Sequence, residues 1–179
     1  MSHLQTPDQV KLISSLFSPE KALIDISIEE LSKIFGTIEW LSPELVFDRT
    51  KYYAKEMGWP LYRRFITFVE LVPPDSIVEI KLKTNELEKK FLLGENRRIN
   101  IDPGYISPER MILATGKNYT HRVYLSKGIF ADLTLIFQRG GFRTLKWTYP
   151  DYASPESIGF FNAIRKQYME QLKEEKRLD

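Results

Sequence analysis

The sequence predicts an α+β fold, a single-domain sandwich of a mainly antiparallel sheet with helices. Three observations predict it. Apolar alternation at period two recurs in several segments, apolar stripes at three- and four-residue spacing recur in others, and the two kinds interleave along the chain. The elements read β-α-β-β-α-β, then α and three further strands, then α. The first half therefore has the element order of a ferredoxin-like split β-α-β unit, to which the second half adds a hairpin and a C-terminal helix. At 179 residues and 42% apolar content the chain suits one domain over 1–179.

Val10, Leu12 and Leu16 recur at period two, the pattern of a half-buried strand over 10–17. Ser18 suits an N-cap, Pro19 the first helical position and Gly36 a stop, which gives a helix over 19–35 with Leu23, Leu31, Ile34 and Phe35 on its apolar side. Ile38 and Trp40 open a second strand, broken at Ser42-Pro43 and continued by Leu45 to Phe47. "KYYAKEMGWP" (51–60) reads as an irregular excursion or one helical turn, closed by Gly58 and Pro60. Leu61 to Val72 carries apolar side chains on both parities, as a strand covered on both faces does. Pro73-Pro74 stops it, and Ile77, Ile80, Thr84, Leu87 and Phe91 predict an amphipathic helix to about Leu92.

Ile99 and Ile101 alternate with Arg98, Asn100 and Asp102 in a strand that Asp102-Pro103-Gly104 is expected to end. Ser107-Pro108-Glu109 repeats the N-cap signal and predicts a short helix over Met111 and Ile112, closed by Gly116. "HRVYLSKGIFADLTLIF" reads as a hairpin with a three-residue loop ending in Gly128, pairing Leu125 with Ile129 and Arg122 with Asp132. In that register His121 shares a face with Val123 and Leu125, opposite Arg122 and Asp132. Phe142 to Tyr149 is a further strand, "YPDYASPE" a turn, and Ser154-Pro155-Glu156 opens a last helix with Ile158, Phe161, Ile164, Tyr168 and Leu172 in one stripe. Segments 1–8 and 173–179 are expected to be flexible ends.

A net charge of +2, from 26 basic and 24 acidic residues, creates no field that demands nucleic acid or an anionic membrane. The absence of cysteine removes disulfides and thiolate zinc sites, and no loop of spaced aspartates suggests another metal. The N-terminus lacks a secretory pattern and no apolar run approaches the roughly 18 residues that span a bilayer, so a soluble, cytoplasmic protein without a membrane partner is expected. No motif names a cofactor, and nothing in the sequence sets the oligomeric state.

Three long stretches, "KYYAKEMGWPLYRRF", "NIDPGYISPERMILATGKNYTHRVYL" and "KWTYPDY", stand in this order. Together they resemble the bacterial and archaeal family catalogued as domain of unknown function 4416, over nearly the whole chain. The resemblance implies a small, soluble, single-domain protein with no assigned catalytic residues. Some members carry a GTP-binding label, which requires G-x-x-x-x-G-K-[ST] so that backbone amides can surround the phosphates. At the one candidate, Gly116-Lys117, Met111 and Asn118 occupy the positions that need Gly and Ser or Thr.

The residues themselves suggest a site. His121 is the histidine suited to proton transfer, and Asp102 and Asp151, each in a proline-containing turn, are its candidate carboxylates; these three form the candidate catalytic set. Arg64, Tyr105, Arg122, Tyr53, Trp147 and Tyr149 are the candidate ligand-binding residues around them. The expected ligand is a small polar or anionic metabolite, in a pocket lined by the Asp-Pro-Gly-Tyr turn, the 51–64 stretch and "WTYPDY". The alternative is an RNA-binding or ribonucleoprotein-associated module that uses the aromatic and basic residues of 51–64, where Arg63 and Arg64 project to opposite faces. With two required residue types missing from the phosphate loop, neither magnesium-dependent GTP binding nor GTP hydrolysis is expected. Micromolar, magnesium-dependent GTP binding by calorimetry, abolished by Lys117→Ala, would contradict this.

Overall fold

Apolar residues of both parities in two neighbouring strands force a sheet that is covered on both sides. The computed structural model describes residues 1–48 and 50–178. Its elements in order are β1 (Val10–Ser18), α1 (Lys21–Phe35), β2 (Ile38–Leu41), β3 (Leu45–Phe47), α2 (Ala54–Met57), β4 (Leu61–Val72), α3 (Ile77–Lys90), β5 (Asn100–Ile106), β6 (Arg110–Thr115), β7 (Arg122–Ser126), β8 (Ile129–Gln138), β9 (Gly141–Thr144), α4 (Pro150–Ala153) and α5 (Pro155–Leu178). Among the described residues the strands form one sheet in the order β2-β4-β1-β5-β6-β8-β7, with β3 beside β4 and β9 beside β8. Every pairing is antiparallel. The fold is thus a mixed α+β sandwich with a mainly antiparallel sheet.

The two faces carry separate cores. Leu12 and Leu16 of β1 and Ile66 and Phe68 of β4 pack with Leu23, Ile24 and Leu31 of α1 and Ile77, Ile80 and Leu87 of α3. Ile13, Phe65 and Leu71 point the other way and meet Phe161, Ile164, Tyr168 and Leu172 of α5. All nine residues of β1 are consequently buried, where the alternation predicts a half-buried strand. Its polar positions are internal rather than solvated. Lys11, fully buried, donates to the carbonyls of Phe68 (3.0 Å) and Val69 (3.3 Å) and pairs with Glu39 at 2.9 Å.

Helix α1 begins at Lys21 with Glu20 as N-cap, two residues later than expected, because Ser18 completes β1 and its Oγ accepts the Glu20 amide at 3.0 Å. The larger correction concerns 100–115. Asp102-Pro103-Gly104 does not end a strand; β5 runs straight through it to Ile106. Ser107-Pro108-Glu109 starts no helix but turns the chain into β6, with the Ser107 amide donating to the Arg110 carbonyl at 2.9 Å and Ser107 Oγ to Glu109 at 2.9 Å. The β9 strand stops at Thr144, where Leu145 to Thr148 form a turn, and the Pro150–Ala153 stretch is a short helix rather than a plain turn.

In the β7–β8 hairpin Arg122 faces Asp132 as expected. The loop is shorter than expected. Lys127 (φ 51) and Gly128 (φ 78) are both left-handed, so Ser126 pairs with Ile129 and Leu125 falls in a bulge.

Gly104 is needed for close approach rather than for a turn. A Cβ there would collide with the Ile112 carbonyl oxygen and the Leu113 side chain of β6. Gly104→Ala should therefore destabilise the protein by about 3 kcal/mol, since backbone rather than a flexible side chain must yield. A urea titration in which the variant loses less than about 1 kcal/mol, within the range of an ordinary surface change, would show that β5 and β6 can separate freely.

Candidate functional site

The β5–β6 ladder holds only Gly104↔Leu113, Tyr105↔Ile112 and Ile106↔Met111. Beyond it the strands part. In a strand, alternate residues direct their backbone groups to the same side, so Pro103, which has no N–H, falls where the next bond to β6 would form. The freed groups of Ile101 are taken by α3: Glu88 Oε1 accepts the Ile101 amide at 2.5 Å, and Lys81 Nζ donates to the Ile101 carbonyl at 3.0 Å.

A cavity of about 770 Å³ occupies the gap. Its walls come from β5 (Asn100, Asp102), from β6 and the residues after it (Leu113 to Lys117), from α3 (Lys81, Asn85, Glu88) and from the 50–53 segment. Arg63, Arg97, Arg122 and Asp132 complete it together with Tyr149 to Tyr152. Parts of all three sequence stretches singled out above line this one concavity.

Arg63 is buried among aromatic rings. Its guanidinium carbon lies 4.4 Å from the Phe47 centroid, 5.0 Å from Phe17 and 5.6 Å from both Phe65 and Tyr152. Nη1 donates to Ser15 Oγ at 2.7 Å and Nη2 to Asp151 at 3.3 Å. Arg97 makes a two-pronged pair with Glu56 (2.7 and 2.9 Å) and donates to Asn100 Oδ1 at 2.7 Å. Asn100 in turn donates to Asp102 at 2.7 Å, and Lys81 reaches Asp102 at 3.5 Å. Burial pushes the Tyr53 hydroxyl up to about 12.

Asp132 is the centre of a second cluster. It accepts from Arg122 Nε at 2.8 Å and lies 3.1 Å from His121 Nε2. His121 precedes β7 and so escapes strand alternation; it lies on the Asp132 side, not opposite as expected. Its ring stacks on Trp147 (4.8 Å, 14°), and Trp147 donates to the Leu133 carbonyl at 2.7 Å. Arg122 also donates to Tyr149 (3.1 Å) and to the Lys117 carbonyl (3.0 Å).

Of the residues chosen from sequence, Asp102, Asp151, Tyr53, Arg122 and Tyr149 line the cavity. His121 and Trp147 stand behind Arg122 and Asp132, and the carboxylate that His121 meets is Asp132 rather than Asp102 or Asp151. Arg64 and Tyr105 lie on the other face of the sheet: Arg64 donates to the Ser42 carbonyl at 3.2 Å, and Tyr105 packs on the α1/α3 core. Arg63, not Arg64, enters the cavity, because the two alternate along β4. Lys81, Glu88, Arg97, Lys117 and Asp132 line the cavity but are not among the site residues expected from sequence, although Asp132 is expected opposite Arg122. A signal existed for the first two: Lys81, Thr84 and Glu88 recur at three and four residues beside the apolar stripe of α3, and all three are buried. Among the described residues no group of three or more acidic or histidine side chains converges as metal ligands, and no helix is long and apolar enough to cross a membrane.

Burial raises the Glu88 carboxyl from 4.5 to about 7, against the pull of Lys81 and the Ile101 amide. A folded-state value above the unfolded one means that the native protein holds this proton more tightly. The resulting stability is present below about pH 4.5 and is lost as pH rises through about 7. Glu88→Gln keeps an acceptor for Ile101 and removes the buried charge. The variant should gain on the order of 2 kcal/mol over the parent at pH 8 and little at pH 5. Thermal melts at the two pH values giving an equal change would show that Glu88 does not titrate in this window.

The family model described as Domain of unknown function (DUF4416) matches residues 8–168. No curated protein and no solved structure matches the chain. The matched span holds every element that lines the cavity, from β1 through α4, and by this match the chain belongs to the DUF4416 family.

Proposed function

We propose that the protein binds a small, polar, anionic metabolite in the cavity between β5 and β6, with Lys117 receiving the anionic group. One observation carries this reading. Among the described residues, four of the five cavity cations are already engaged by carboxylates: Arg63 by Asp151, Lys81 by Asp102, Arg97 by Glu56 and Arg122 by Asp132. Lys117 makes no ion pair among the described residues; its Nζ stands 5.5 Å from the Tyr52 ring centroid. A volume of about 770 Å³ falls within the roughly 300–1,000 Å³ of small-molecule sites, and the mixture of aromatic walls with a few charged groups is typical of them.

The alternative, RNA binding through 51–64, would need its rings and cations on a common open surface. Arg63 is buried in its aromatic cage and Arg64 faces the other side of the sheet, which favours the small-molecule reading. The strand order β2-β4-β1-β5, with β1 and β2 both antiparallel to β4 and with α1 and α3 on one face, supports reading residues 10–106 as a ferredoxin-like unit.

A thermal-shift screen against phosphates, sugar phosphates, nucleotides and carboxylates tests the proposal. A ligand at one hundred times its Kd adds about 2.7 kcal/mol to native stability, so a true ligand should raise the melting temperature by several degrees. Lys117→Ala should weaken that ligand about tenfold without lowering the unliganded melting temperature. A panel in which no anion shifts the transition would sink the reading, and a steep salt-dependent affinity for single-stranded RNA would favour the alternative.

A further inference from the structure

The cavity wall from Lys117 to Asp102 is continuous. Lys117 Nζ stands over the Tyr52 ring, and Tyr52 meets Tyr53 edge-on at 4.9 Å. Arg97 lies 5.7 Å over Tyr53, donates to Asn100, and Asn100 donates to Asp102. A ligand lying along this wall would meet a cation, then two tyrosine rings, then a carboxylate. Tyr52 is 70% exposed and Asp102 keeps about a third of its side chain accessible, at 35%, so both remain open to a ligand.

We infer that the ligand carries a planar ring, a single anionic group and a hydrogen-bond-donating edge, in chemical class a nucleoside monophosphate, an inference that rests on the reading of the cavity as an anion site. The phosphate goes to Lys117, the planar ring stacks on the exposed Tyr52, to which Tyr53 stands edge-on at 87°, and an amino or hydroxyl donor faces Asp102. Each element excludes a simpler class. A dicarboxylate would set its second charge against Asp102. A sugar phosphate would leave the tyrosine rings without a flat partner, where stacking of a base contributes on the order of 1–3 kcal/mol. A triphosphate would bring more charge than Lys117 can meet, and the chain has no glycine-rich loop to help.

Calorimetry on the full chain separates these classes, with AMP, GMP, CMP and UMP compared with ribose 5-phosphate, the free nucleosides and citrate. At least one monophosphate should bind about tenfold more tightly than ribose 5-phosphate and than its own nucleoside. Asp102→Asn and Tyr52→Ala should each weaken that nucleotide about fivefold or more and leave ribose 5-phosphate unaffected. Tyr52 is exposed, so its variant keeps the test open if the Asp102 variant fails to fold. Ribose 5-phosphate or citrate binding as tightly as every nucleotide would overturn the inference and leave the anion site standing. Unchanged nucleotide affinity in Tyr52→Ala would overturn it as well. If no anion in the set binds, the inference and the anion site fall together.

Discussion

A missing hydrogen-bond donor organises the molecule. Pro103 has no amide hydrogen to give to β6, and the antiparallel ladder that begins at Ile106↔Met111 ends one residue before it, at Gly104↔Leu113. An interrupted sheet ordinarily leaves backbone groups to water or unpaired. Here α3 supplies two long side chains in place of a strand: Glu88 takes the amide of Ile101 and Lys81 its carbonyl. The parted strands can therefore stay apart inside a folded protein, and the space between them becomes the cavity. Gly104 fixes the hinge of this opening, because only a residue without Cβ lets β6 come so close just before the strands diverge.

Holding such a gap open takes several charges largely out of water, and Arg63, Lys81, Arg97 and Arg122 each meet a carboxylate. Arg97 and Glu56 form a two-pronged pair, Arg63 is enclosed by rings while its terminal nitrogens reach Ser15 and Asp151, and Arg122 shares Asp132 with His121. Paired buried charges contribute little net stability, but removing one partner costs several kcal/mol, so these contacts specify geometry more than they strengthen the fold. Glu88 is the exception in kind. Buried beside Lys81 and bonded to a backbone amide, it is still pushed up to about 7 by loss of solvent, so its protonation state near neutral pH is a property of the opening itself.

The tripeptide Ser-Pro-Glu shows what was legible in the sequence and what was not. It occurs at 18–20, 42–44, 107–109 and 154–156. At 154–156 it starts a helix, with Ser154 Oγ accepting the Ser157 amide at 3.1 Å; at 18–20 its serine closes a strand and the helix follows. At 42–44 Ser42 Oγ accepts the Phe65 amide at 2.9 Å in a loop between strands, and at 107–109 it turns one strand into the next. Serine and proline serve caps and turns equally well, so local chemistry could not choose. Longer patterns fared better: the stripes of α3 and α5, most of that of α1, where Ile34 is exposed, and the doubly covered β4 follow from periodicity, which reports tertiary burial directly; the Arg122–Asp132 pairing, read from a three-residue loop, holds because the bulge at Leu125 offsets the shorter turn. The Asp-Pro-Gly turn failed because its proline and glycine serve a strand that must lose one partner, a need visible only when β6 and α3 are in place. Arg63 and Arg64 could be assigned to opposite faces, but nothing local told which face held the cavity.

His121, the side chain most suggestive of chemistry in the sequence, has a mechanical position in the fold. It is stacked on Trp147 and meets Asp132; Asp132 holds Arg122; and Arg122 reaches around to the carbonyl of Lys117 and the hydroxyl of Tyr149. The segment that carries Lys117 is also pinned at its start, where the Lys117 amide donates to Thr115 Oγ1 at 3.2 Å. The backbone beneath Lys117 is thus fixed from both sides, while its ammonium group makes no ion pair among the described residues. Fixing the stem of a flexible side chain reduces the conformational freedom that an anion would otherwise have to remove on binding. The His121–Asp132–Arg122 cluster thus holds the Lys117 carbonyl on one side of the opening, while on the other Lys81 and Glu88 replace the backbone partners that Ile101 loses where the strands diverge.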